Sequence, residues 1–589
     1  MTGEMRNVPI SFRPSLKQCN RSRRAAVHCH WQFKLHTRLG SLIAKVRLAH
    51  YLYAQDNKTK ALRGSRLMTN KLSRRGFLHL AGAAGGSTAV YRAAMALGLL
   101  PAIAHAERPE IGTLKKPKKV LILGGGISGL TAAYELSRKG YEVQVLEASF
   151  RAGGRNMTVR HGDRIDETGF PQVCNFDKDP DLYFNCGPAR IPGHHKALLN
   201  YCKELDVELE PFINDNRNAW VQDDAMFGGK PVRAREYMTD SRGFVAELMS
   251  KSIKPEQFSA SMTKEDFERL REYLKYLGSL DPSFKYAGSS NAGLAVHDYT
   301  SPEVLKKPLD GLELLKSRYM MIMSFGETDD QAAMMMEPVG GMDRVPAGFL
   351  RKIGHLVQLE SQVQKIKVLP KGCEVTYRRG GEYVTAKADY VLNCIPMHLL
   401  AGIEHNFPKE FASGLTAVPR GKLFKIGFQM KERFWEKEGI YGGISWTLQD
   451  IQQLWYPAHG INRQKGVMLG AYTFDPNAGE KFARLAPADR FKLAIARGEK
   501  IHPGYGSYVE TGVSIAWHQM NHMLGCAAQW DEELWKKWFK TLQTPVGNHY
   551  LMGDQVSYHP GWQEGAIASA HHAMADIDAR ERAAGMVAA

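Results

Sequence analysis

The sequence contains little cysteine, and none of it is arranged in the manner of a metal or dithiol centre. Eight of the 589 residues are cysteines, and six of these follow residue 106. No two form a C-x-x-C pair, and no histidine or cysteine group has the spacing of metal ligands along the chain. We therefore expect no metal ion and six buried free thiols. They are Cys174, Cys186, Cys202, Cys373, Cys394 and Cys526.

The sequence also lacks a good membrane span. The apolar run 78–100 is rich in glycine and alanine, and Arg92 interrupts it. A membrane-spanning helix needs about 20 consecutive and predominantly apolar residues. We therefore expect no stable insertion into a membrane.

The main part of the chain has almost no excess of basic over acidic residues. The net charge is +17 at pH 7, but residues 1–67 contain 14 Lys and Arg against two Asp and Glu. Residues 68–106 add four basic residues and no acidic one. Residues 107–589 are therefore nearly neutral, and their charge gives no reason to expect a nucleic-acid partner.

Residues 68–106 are typical of a twin-arginine signal peptide. The segment 73–78, Ser-Arg-Arg-Gly-Phe-Leu, resembles the twin-arginine export motif, and an apolar segment follows it. The Ala-His-Ala sequence at 104–106 is a cleavage site that predicts a mature start at Glu107. This pattern predicts export to the periplasm or the exterior by the twin-arginine route. The alternative is an amphipathic N-terminal helix.

The 67 residues before Met68 are basic and show no periodic pattern. Signal peptides normally begin at the N-terminus of the translated chain. We therefore expect either that Met68 is the true start or that residues 1–67 form a disordered extension.

The most informative stretch runs from Val120 to Glu147. An apolar strand pattern, 120–123, ends in Gly-Gly-Gly-Ile-Ser-Gly, and a helical pattern spans 130–139. A second strand pattern, 141–146, ends at the acid Glu147. The order of strand, glycine turn, helix, strand and acid predicts a dinucleotide-binding unit.

Each part of this unit has a physical role in nucleotide binding. Glycines let the backbone approach a pyrophosphate, and a helix N-terminus offers free N–H groups and positive potential. Glu147 is suited to accept hydrogen bonds from both hydroxyls of the adenosine ribose. The predicted contacts of the unit are Gly124, Gly126, Ile127, Ser128, Gly129, Glu147 and Ala148.

Two further motifs carry a family resemblance. The segment 151–155, Arg-Ala-Gly-Gly-Arg, follows the fingerprint, and Gly553-Asp554 precedes a Trp-x-x-Gly-Ala sequence at 562–566. Together with the fingerprint they resemble the flavin amine oxidase superfamily, which includes monoamine, polyamine and L-amino-acid oxidases. The resemblance covers most of residues 118–580 and is thinnest across 195–335.

The resemblance implies an α/β fold with a discontinuous Rossmann-type FAD-binding domain, a mixed-sheet substrate domain and an inserted helical domain. The region 195–335 reads as mostly helical, and 264–277 has a clear helical period. The expected FAD-binding segments are 107–176, 337–400 and 546–589. The expected substrate-binding segments are 177–205 and 401–545, and the helical domain is 206–336.

The resemblance also implies how FAD is held. Arg155 is expected to pair with a phosphate, Asp554 to bond the ribityl or phosphate end, and Val363 to contact the adenine end through its backbone. The N-terminus of a helix beginning at Ala566 is expected to face the N1/O2 edge of the flavin. The remaining implied contacts are Gly154, Ala189, Arg190, Trp517, Gly553, Gly561, Trp562 and Gly565.

A covalent link to the flavin is possible at one position in the superfamily. Cys526 stands nine residues after Trp517, the offset at which monoamine oxidases carry a flavin-bonded cysteine. Its neighbours here are not the usual glycine pair and aromatic residue. We therefore expect an inert thiol and FAD bound without a covalent bond.

Four residues are implied in catalysis. The segment 187–192, Gly-Pro-Ala-Arg-Ile-Pro, resembles the G-P-M-R-x-P segment in which L-amino-acid oxidases hold the substrate carboxylate. Arg190 and Tyr472 are thus expected to bind the carboxylate, with Phe474 lining the side-chain pocket. Lys425 is expected to order water or oxygen near flavin N5, and Trp562 to form an aromatic wall.

The resulting prediction is an exported FAD-dependent L-amino-acid oxidase. Hydride passes from the α-carbon to flavin N5, and the products are a 2-keto acid, ammonia and hydrogen peroxide. The partners are a small L-amino acid and oxygen, and relatives suggest a homodimer. The alternatives are a monoamine or polyamine oxidase, an amino-acid 2-monooxygenase of the same fold, and a flavin scaffold without redox activity.

Overall fold

A five-stranded parallel sheet contains the dinucleotide fingerprint. The computed structural model describes residues 108–254, 262–296, 298–317, 324–332 and 334–588, so the predictions for 1–67 and for the signal peptide lie outside the described residues. All neighbouring strands of this sheet are parallel. In spatial order they are Val357–Gln358, Glu142–Leu146, Lys119–Leu123, Tyr390–Asn393 and His549–Leu551.

The central strand, Lys119–Leu123, is apolar on both faces because both faces of the sheet are covered. On one face, Ile127–Ser137, Arg344–Ile353 and Gln563–Ala583 contribute apolar side chains to a core shared with Val120 and Ile122. On the other face, Leu121 and Leu123 pack in a core with residues of a four-stranded sheet. That sheet has the order Glu382–Ala388, Cys373–Arg379, Gln362–Val368 and Glu404–His405.

The strand predictions around the glycine turn are confirmed, but the helix begins earlier than its pattern indicates. It spans Ile127–Ser137, so Gly129 lies in its first turn. A Cβ atom on Gly129 would stand 2.1 Å from the Gly124 carbonyl oxygen, so only glycine lets the helix start this close to the strand. Gly124 itself has a φ of 106°, which side chains other than hydrogen rarely allow.

A seven-stranded mixed sheet forms the second large layer. Its strands are antiparallel except for one parallel pair, Gly443–Thr447 with Trp220–Gln222. Of the three long strands at one edge, two are buried along almost their whole length, and Val509–Ala516 is buried in its second half. The spatial order is Val232–Arg233, Trp220–Gln222, Gly443–Thr447, Gln453–Tyr456, Gly466–Thr473, Phe424–Met430 and Val509–Ala516.

The region 206–336 is less purely helical than its composition indicates. Its two long helices, Ala234–Ser252 and Lys264–Gly278, are in contact. The same region supplies the edge strands Trp220–Gln222 and Val232–Arg233 to the seven-stranded sheet. Strands of two or three residues are too short to show a period, so the sequence pattern missed them. Further strands here are Leu209–Phe212, Leu294–Val296, Val304–Leu305 and Met335–Pro338.

Short elements complete the fold. The small strands outside the two large sheets are Thr158–Val159, Arg164–Ile165, Gln172–Val173, Phe184–Asn185 and Ile191–Pro192. The other helices are Lys196–Glu204, Gly311–Lys316, Asp329–Ala332, Met397–Leu400, Lys409–Ala417, Phe434–Lys437, Pro476–Ala483, Pro487–Gly498, Tyr505–Tyr508, Glu532–Leu534 and Lys540–Gln543. A π-helical turn, Trp535–Phe539, precedes the last of these.

The six cysteines after residue 106 are free, and four of them are buried as predicted. Cys394 and Cys526 are half-buried, so the prediction of a buried thiol is wrong for these two. None of the helices in the described ranges combines the length and the apolar character that crossing a bilayer requires.

Candidate active site

A cavity of about 1290 Å³ lies where the glycine turn, the 187–190 segment and the long strands of the seven-stranded sheet come together. This volume exceeds the roughly 300–1,000 Å³ of sites for drug-sized ligands. All of the predicted site residues line it except Gly129 and Gly565. A Cβ atom on Gly565 would stand 2.3 Å from the His559 carbonyl oxygen. These two glycines therefore allow close packing of the backbone and do not face the cavity.

Glu147 anchors one end of the cavity, at the end of its strand. Its side chain is buried, and its two oxygens accept hydrogen bonds from the Gly125 N–H at 2.7 Å and the Ser149 N–H at 2.8 Å. Burial raises the pKa of Glu147 above its ordinary value, although both N–H donors oppose this shift. A carboxylate has about four acceptor positions, so Glu147 retains capacity for the hydroxyls of a ribose.

Arg155, which is half-buried, forms an ion pair with the buried Asp554 on the same part of the wall. The second carboxylate oxygen of Asp554 accepts the Gly561 N–H at 2.7 Å. Burial favours a higher pKa for Asp554, but Arg155 and Arg420 outweigh it and hold the pKa below its ordinary value. Both members of the pair were predicted as cofactor contacts, and their partnership was not.

Arg420 is a wall residue that the sequence did not point to. Its Nε atom is buried without a partner among the described residues, and Nη1 approaches the Gln555 Oε1 atom only at 3.5 Å. Burial, together with the charge of Arg155, lowers the pKa of Arg420 to about 10. A buried guanidinium without a salt bridge in the described ranges suits an anionic group such as a phosphate.

The helix Gln563–Ala583 begins at the cavity, three residues before its predicted start. Trp562 is its N-cap, and Gln563 and Ala566 of the first turn line the cavity. The first-turn N–H groups of a helix carry positive partial charge. The helix therefore directs that charge at a ligand in the cavity, and Ala566 stands within the first turn.

Arg190 dominates the other end of the cavity. It is 9% exposed and makes no salt bridge among the described residues. Its Nη2 atom donates to the Gln331 Oε1 atom at 2.9 Å, and its Nε atom is buried without a partner in the described part of the chain. The guanidinium lies 4.6 Å from the centre of the Trp455 ring. Burial lowers its pKa to about 10.

Lys425 lies beside Arg190, on the strand Phe424–Met430. It is 2% exposed, and its ammonium nitrogen donates to the backbone carbonyls of Asn185 and Gly187. The same nitrogen stands 4.4 Å from the centre of the Tyr472 ring. Burial lowers the pKa of Lys425 to about 7, and the nearby charge of Arg190 acts in the same direction. Lys425 therefore changes protonation near neutral pH.

Aromatic side chains enclose this end. Tyr472 packs against Trp455 at 5.4 Å and against Phe474 at 4.4 Å between ring centres. Burial raises the pKa of Tyr472, so its hydroxyl stays protonated and can donate a hydrogen bond. Phe474 is 48% exposed and marks the side of the cavity that is open to solvent. Trp517, also on the wall, donates its indole N–H to the Cys186 carbonyl at 2.9 Å.

Three histidines surround one carboxylate next to this aromatic wall. The Nε2 atoms of His194, His195 and His559 lie 3.0, 3.2 and 3.0 Å from the Asp330 Oδ1 atom. Burial favours a higher pKa for Asp330, but the three imidazoles outweigh it and lower the pKa below its ordinary range. His195 also packs edge-on against Trp562 at 5.0 Å. The sequence indicated only that His194 and His195 flank the pocket motif.

Comparison with known proteins places the chain among flavin enzymes. The model of the family described as flavin containing amine oxidoreductase matches residues 127–577. This match begins at the first residue of the helix Ile127–Ser137 and ends within the last long helix, so it includes all strands of the two large sheets except Lys119–Leu123.

The curated relatives include L-amino-acid oxidases. The L-amino acid oxidase of Bothrops pictus is 28% identical over 482 residues, which are 80% of this chain and 91% of that protein. The L-amino-acid oxidase of Pseudechis australis is 27% identical over 473 residues, or 78% of this chain and 87% of that protein.

Solved structures share the fold at lower identity. Wild-type putrescine oxidase bound to putrescine superimposes with a TM-score of 0.52 at 18% identity, over 79% of this chain and 99% of that one. The cyclohexylamine oxidase of Brevibacterium oxydans IH-35A gives a TM-score of 0.52 at 17% identity over the same shares. These similarities confirm the predicted fold class.

Proposed function

This chain belongs to the flavin-containing amine oxidoreductase family, and we propose that within it the protein is an oxidase of free L-amino acids. The observation that carries the proposal is the buried guanidinium of Arg190, which faces the cavity without a salt bridge to any described residue. Burying an unpaired charge costs several kcal/mol, so such a group is expected to bind a ligand anion. An amino acid has a carboxylate, and a simple amine has no such group.

The proposed cofactor is FAD, held without a covalent bond. The residues present fit a dinucleotide: a Cβ atom on Gly126 would meet nothing within 4 Å, Glu147 has free acceptor capacity, and the Arg420 Nε atom has no partner among the described residues. FAD bound there would supply the acceptor for the hydride of the substrate α-carbon and a route for two electrons to oxygen, with hydrogen peroxide as the product.

Arg190 and Tyr472 fix the carboxylate in this proposal. The planar guanidinium offers paired N–H donors that match the two oxygens of a carboxylate. Tyr472 adds an O–H donor from the strand Gly466–Thr473, which pairs with the strand of Lys425. Gln331 already accepts one N–H of Arg190, so it keeps the fork in a fixed orientation. With the acid end held, the α-carbon is oriented in the cavity and the reacting C–H bond is selected.

Lys425 is proposed to hold water or oxygen close to the reacting atoms. Two backbone carbonyls and the Tyr472 ring keep its nitrogen in place. Because its pKa lies at about 7, it offers both a donor and an acceptor near neutral pH. Trp455, whose ring centre lies 5.9 Å from the Lys425 nitrogen, is proposed to shield this region from bulk water.

Two parts of the proposal rest on the sequence and on the family resemblance. The signal-peptide pattern in 68–106 supports export by the twin-arginine route to the periplasm or the exterior. The assembly we propose is a homodimer. Cell fractionation tests the first, and light scattering of the purified protein tests the second.

The activity is tested by an anaerobic screen of flavin reduction. We expect the yellow protein to bleach with some of the twenty L-amino acids and to keep its colour with the decarboxylated amine of each. Equal bleaching by amines would favour a monoamine or polyamine oxidase. If no compound bleached the protein, the result would favour a flavin scaffold without redox activity. In air, one peroxide per substrate consumed distinguishes an oxidase from an amino-acid 2-monooxygenase.

A further inference from the structure

The four residues of this cluster, His194, His195, Asp330 and His559, come from three separate segments of the chain. His194 precedes the N-cap His195 of the helix Lys196–Glu204, and Asp330 lies in the short helix Asp329–Ala332. His559 lies in the loop before the long C-terminal helix. Asp330 is 136 positions from His194 and 229 from His559. The fold alone therefore brings this cluster together, which we call the histidine cluster.

The four ligand atoms lie close enough together to hold one metal ion. One atom from each residue lies within 4.8 Å of all the others. The three nitrogen-to-oxygen separations are 3.0, 3.2 and 3.0 Å. Zinc bonds to nitrogen and oxygen of about 2.0–2.1 Å place neighbouring ligand atoms of a tetrahedron roughly 3.3 Å apart. The three nitrogen-to-oxygen edges already have nearly this length, and the nitrogen-to-nitrogen edges lie within 4.8 Å.

The identity of the ligands selects the class of metal. Imidazole nitrogen suits zinc and its transition-metal neighbours, whereas magnesium and calcium prefer oxygen ligands throughout. Three neutral imidazoles and one carboxylate leave a dipositive ion with a net charge of +1. His195 is 1% exposed and Asp330 is 23% exposed at the side chain, so the cluster is shielded and still reachable.

We propose that the histidine cluster is a binding site for a zinc-class transition-metal ion, with His194, His195, Asp330 and His559 as its ligands. The ion joins three segments that border the cavity. His195 packs on Trp562, and the neighbour of Asp330, Gln331, is the acceptor for Arg190. A bound ion would thus hold these three segments of the cavity wall together, whichever compound the enzyme oxidises.

The proposal is tested by zinc content and affinity in the holoenzyme. The flavin-loaded full chain, prepared without a polyhistidine tag, is dialysed against ZnCl2 and then titrated with a chelator while zinc per flavin is measured. We expect one zinc ion per flavin in the wild type. His559→Ala should lose this zinc on dialysis, and the chelator titration should show an affinity for zinc at least tenfold weaker. Asp330→Asn removes the ligand charge with almost no change in side-chain shape, and we expect it to lose the zinc equivalent as well. It provides the test if His559→Ala folds poorly.

A matched control comes from the other group of candidate ligands in the described ranges, Glu210, Glu337 and His459. His459→Ala should keep the zinc equivalent. Zinc should also raise the melting temperature of the wild type and of His459→Ala, but not that of His559→Ala, because a ligand that binds only the folded state stabilises it. Equal zinc in wild type and His559→Ala, loss through His459→Ala alone, or no bound zinc would each overturn the proposal.

Discussion

The charged side chains at the two ends of the cavity differ in the partners that the protein gives them. At the end formed by the glycine turn, each carboxylate has donors from the protein: Glu147 accepts two backbone N–H groups, and Asp554 is paired with Arg155. At the other end, the acceptors of Arg190 and Lys425 within the described part of the chain are all neutral. An end that leaves its cation without an anion is suited to a ligand that supplies one.

Arg420 refines this comparison, because its Nε atom at the glycine-turn end has no partner among the described residues. Arg155 and Arg420 carry two positive charges there against the one negative charge of Asp554. The diphosphate of FAD would supply two negative charges beside these arginines, and a substrate carboxylate would supply one at Arg190. Each end therefore offers a cation to the anion of the ligand proposed for it.

The largest effect is expected from removing the charge at the substrate end. Arg190→Ala should lower kcat/KM for L-amino acids roughly 10³-fold, about 4 kcal/mol, because a buried charge pair loses one partner. Steady-state kinetics on an amino acid and its decarboxylated amine measure this. The amine should change little, and flavin content should stay that of the wild type.

Arg190→Lys is the matched control, since it keeps the charge and loses the planar fork. We expect it to fall between wild type and Arg190→Ala. If Arg190→Ala lowered kcat/KM for the amine as much as for the amino acid, Arg190 would not bind the substrate carboxylate, and the comparison between the two ends would fail.

Lys425 tests whether the substrate end carries one cation or two. Its pKa falls from 10.5 in the unfolded chain to about 7 in the fold. Between these pH values the unfolded state binds a proton that the folded state does not, so stability rises with pH and is lowest below pH 7. Lys425→Met should remove roughly 3 kcal/mol of this rise between pH 7 and 9.

Melting temperatures of wild type and Lys425→Met across pH 6–10 measure that difference. The variant should be stabilised most at low pH, and the gap should shrink as the pH rises. Lys431→Met is the control, because Lys431 follows the same strand and is exposed. A gap that stays constant with pH would show that Lys425 is charged throughout.

At the glycine-turn end, Glu147→Gln should weaken FAD binding roughly tenfold. Only one atom of an amide accepts hydrogen bonds, so either Gly125 or Ser149 would point its N–H at another donor, costing about 1–3 kcal/mol. Fluorescence titration of the apoprotein with FAD measures this. Glu142→Gln, on the same strand and exposed, should bind FAD as the wild type does. Equal affinity in both variants would remove Glu147 from the cofactor site.

The sequence predicted the parts of the site that are local in the chain. The unit from Val120 to Glu147 has its strand, turn, helix and acid within one short stretch, so spacing alone indicates it. The same holds for Gly553-Asp554 and the turn before the last helix. Gly129 and Gly565 were predicted as contacts from their motifs, but a motif does not distinguish a glycine that faces a ligand from one that faces backbone.

The parts that were missed depend on distant segments. Gln331 meets Arg190 across 141 positions, and Arg420 meets Gln555 across 135. An isolated arginine or glutamine in a polar loop is usually exposed, so nothing in its neighbours marks it. The histidine cluster is a further case, because its spacing along the chain is irregular and only its spacing in space is regular.

The smallest effect is expected at Cys526, which tests whether the glycine-turn end holds FAD by contacts alone. Its thiol interacts with Arg155, the partner of Asp554, in the polar part of the wall. Acid precipitation of the wild type should therefore leave the yellow colour in the supernatant, and Cys526→Ser should behave identically. Cys394→Ser, at the other cavity-lining cysteine, is the control. Colour that pellets with the wild type and with Cys394→Ser, but not with Cys526→Ser, would establish a covalent bond at Cys526, and charge pairing would then not be what retains the cofactor.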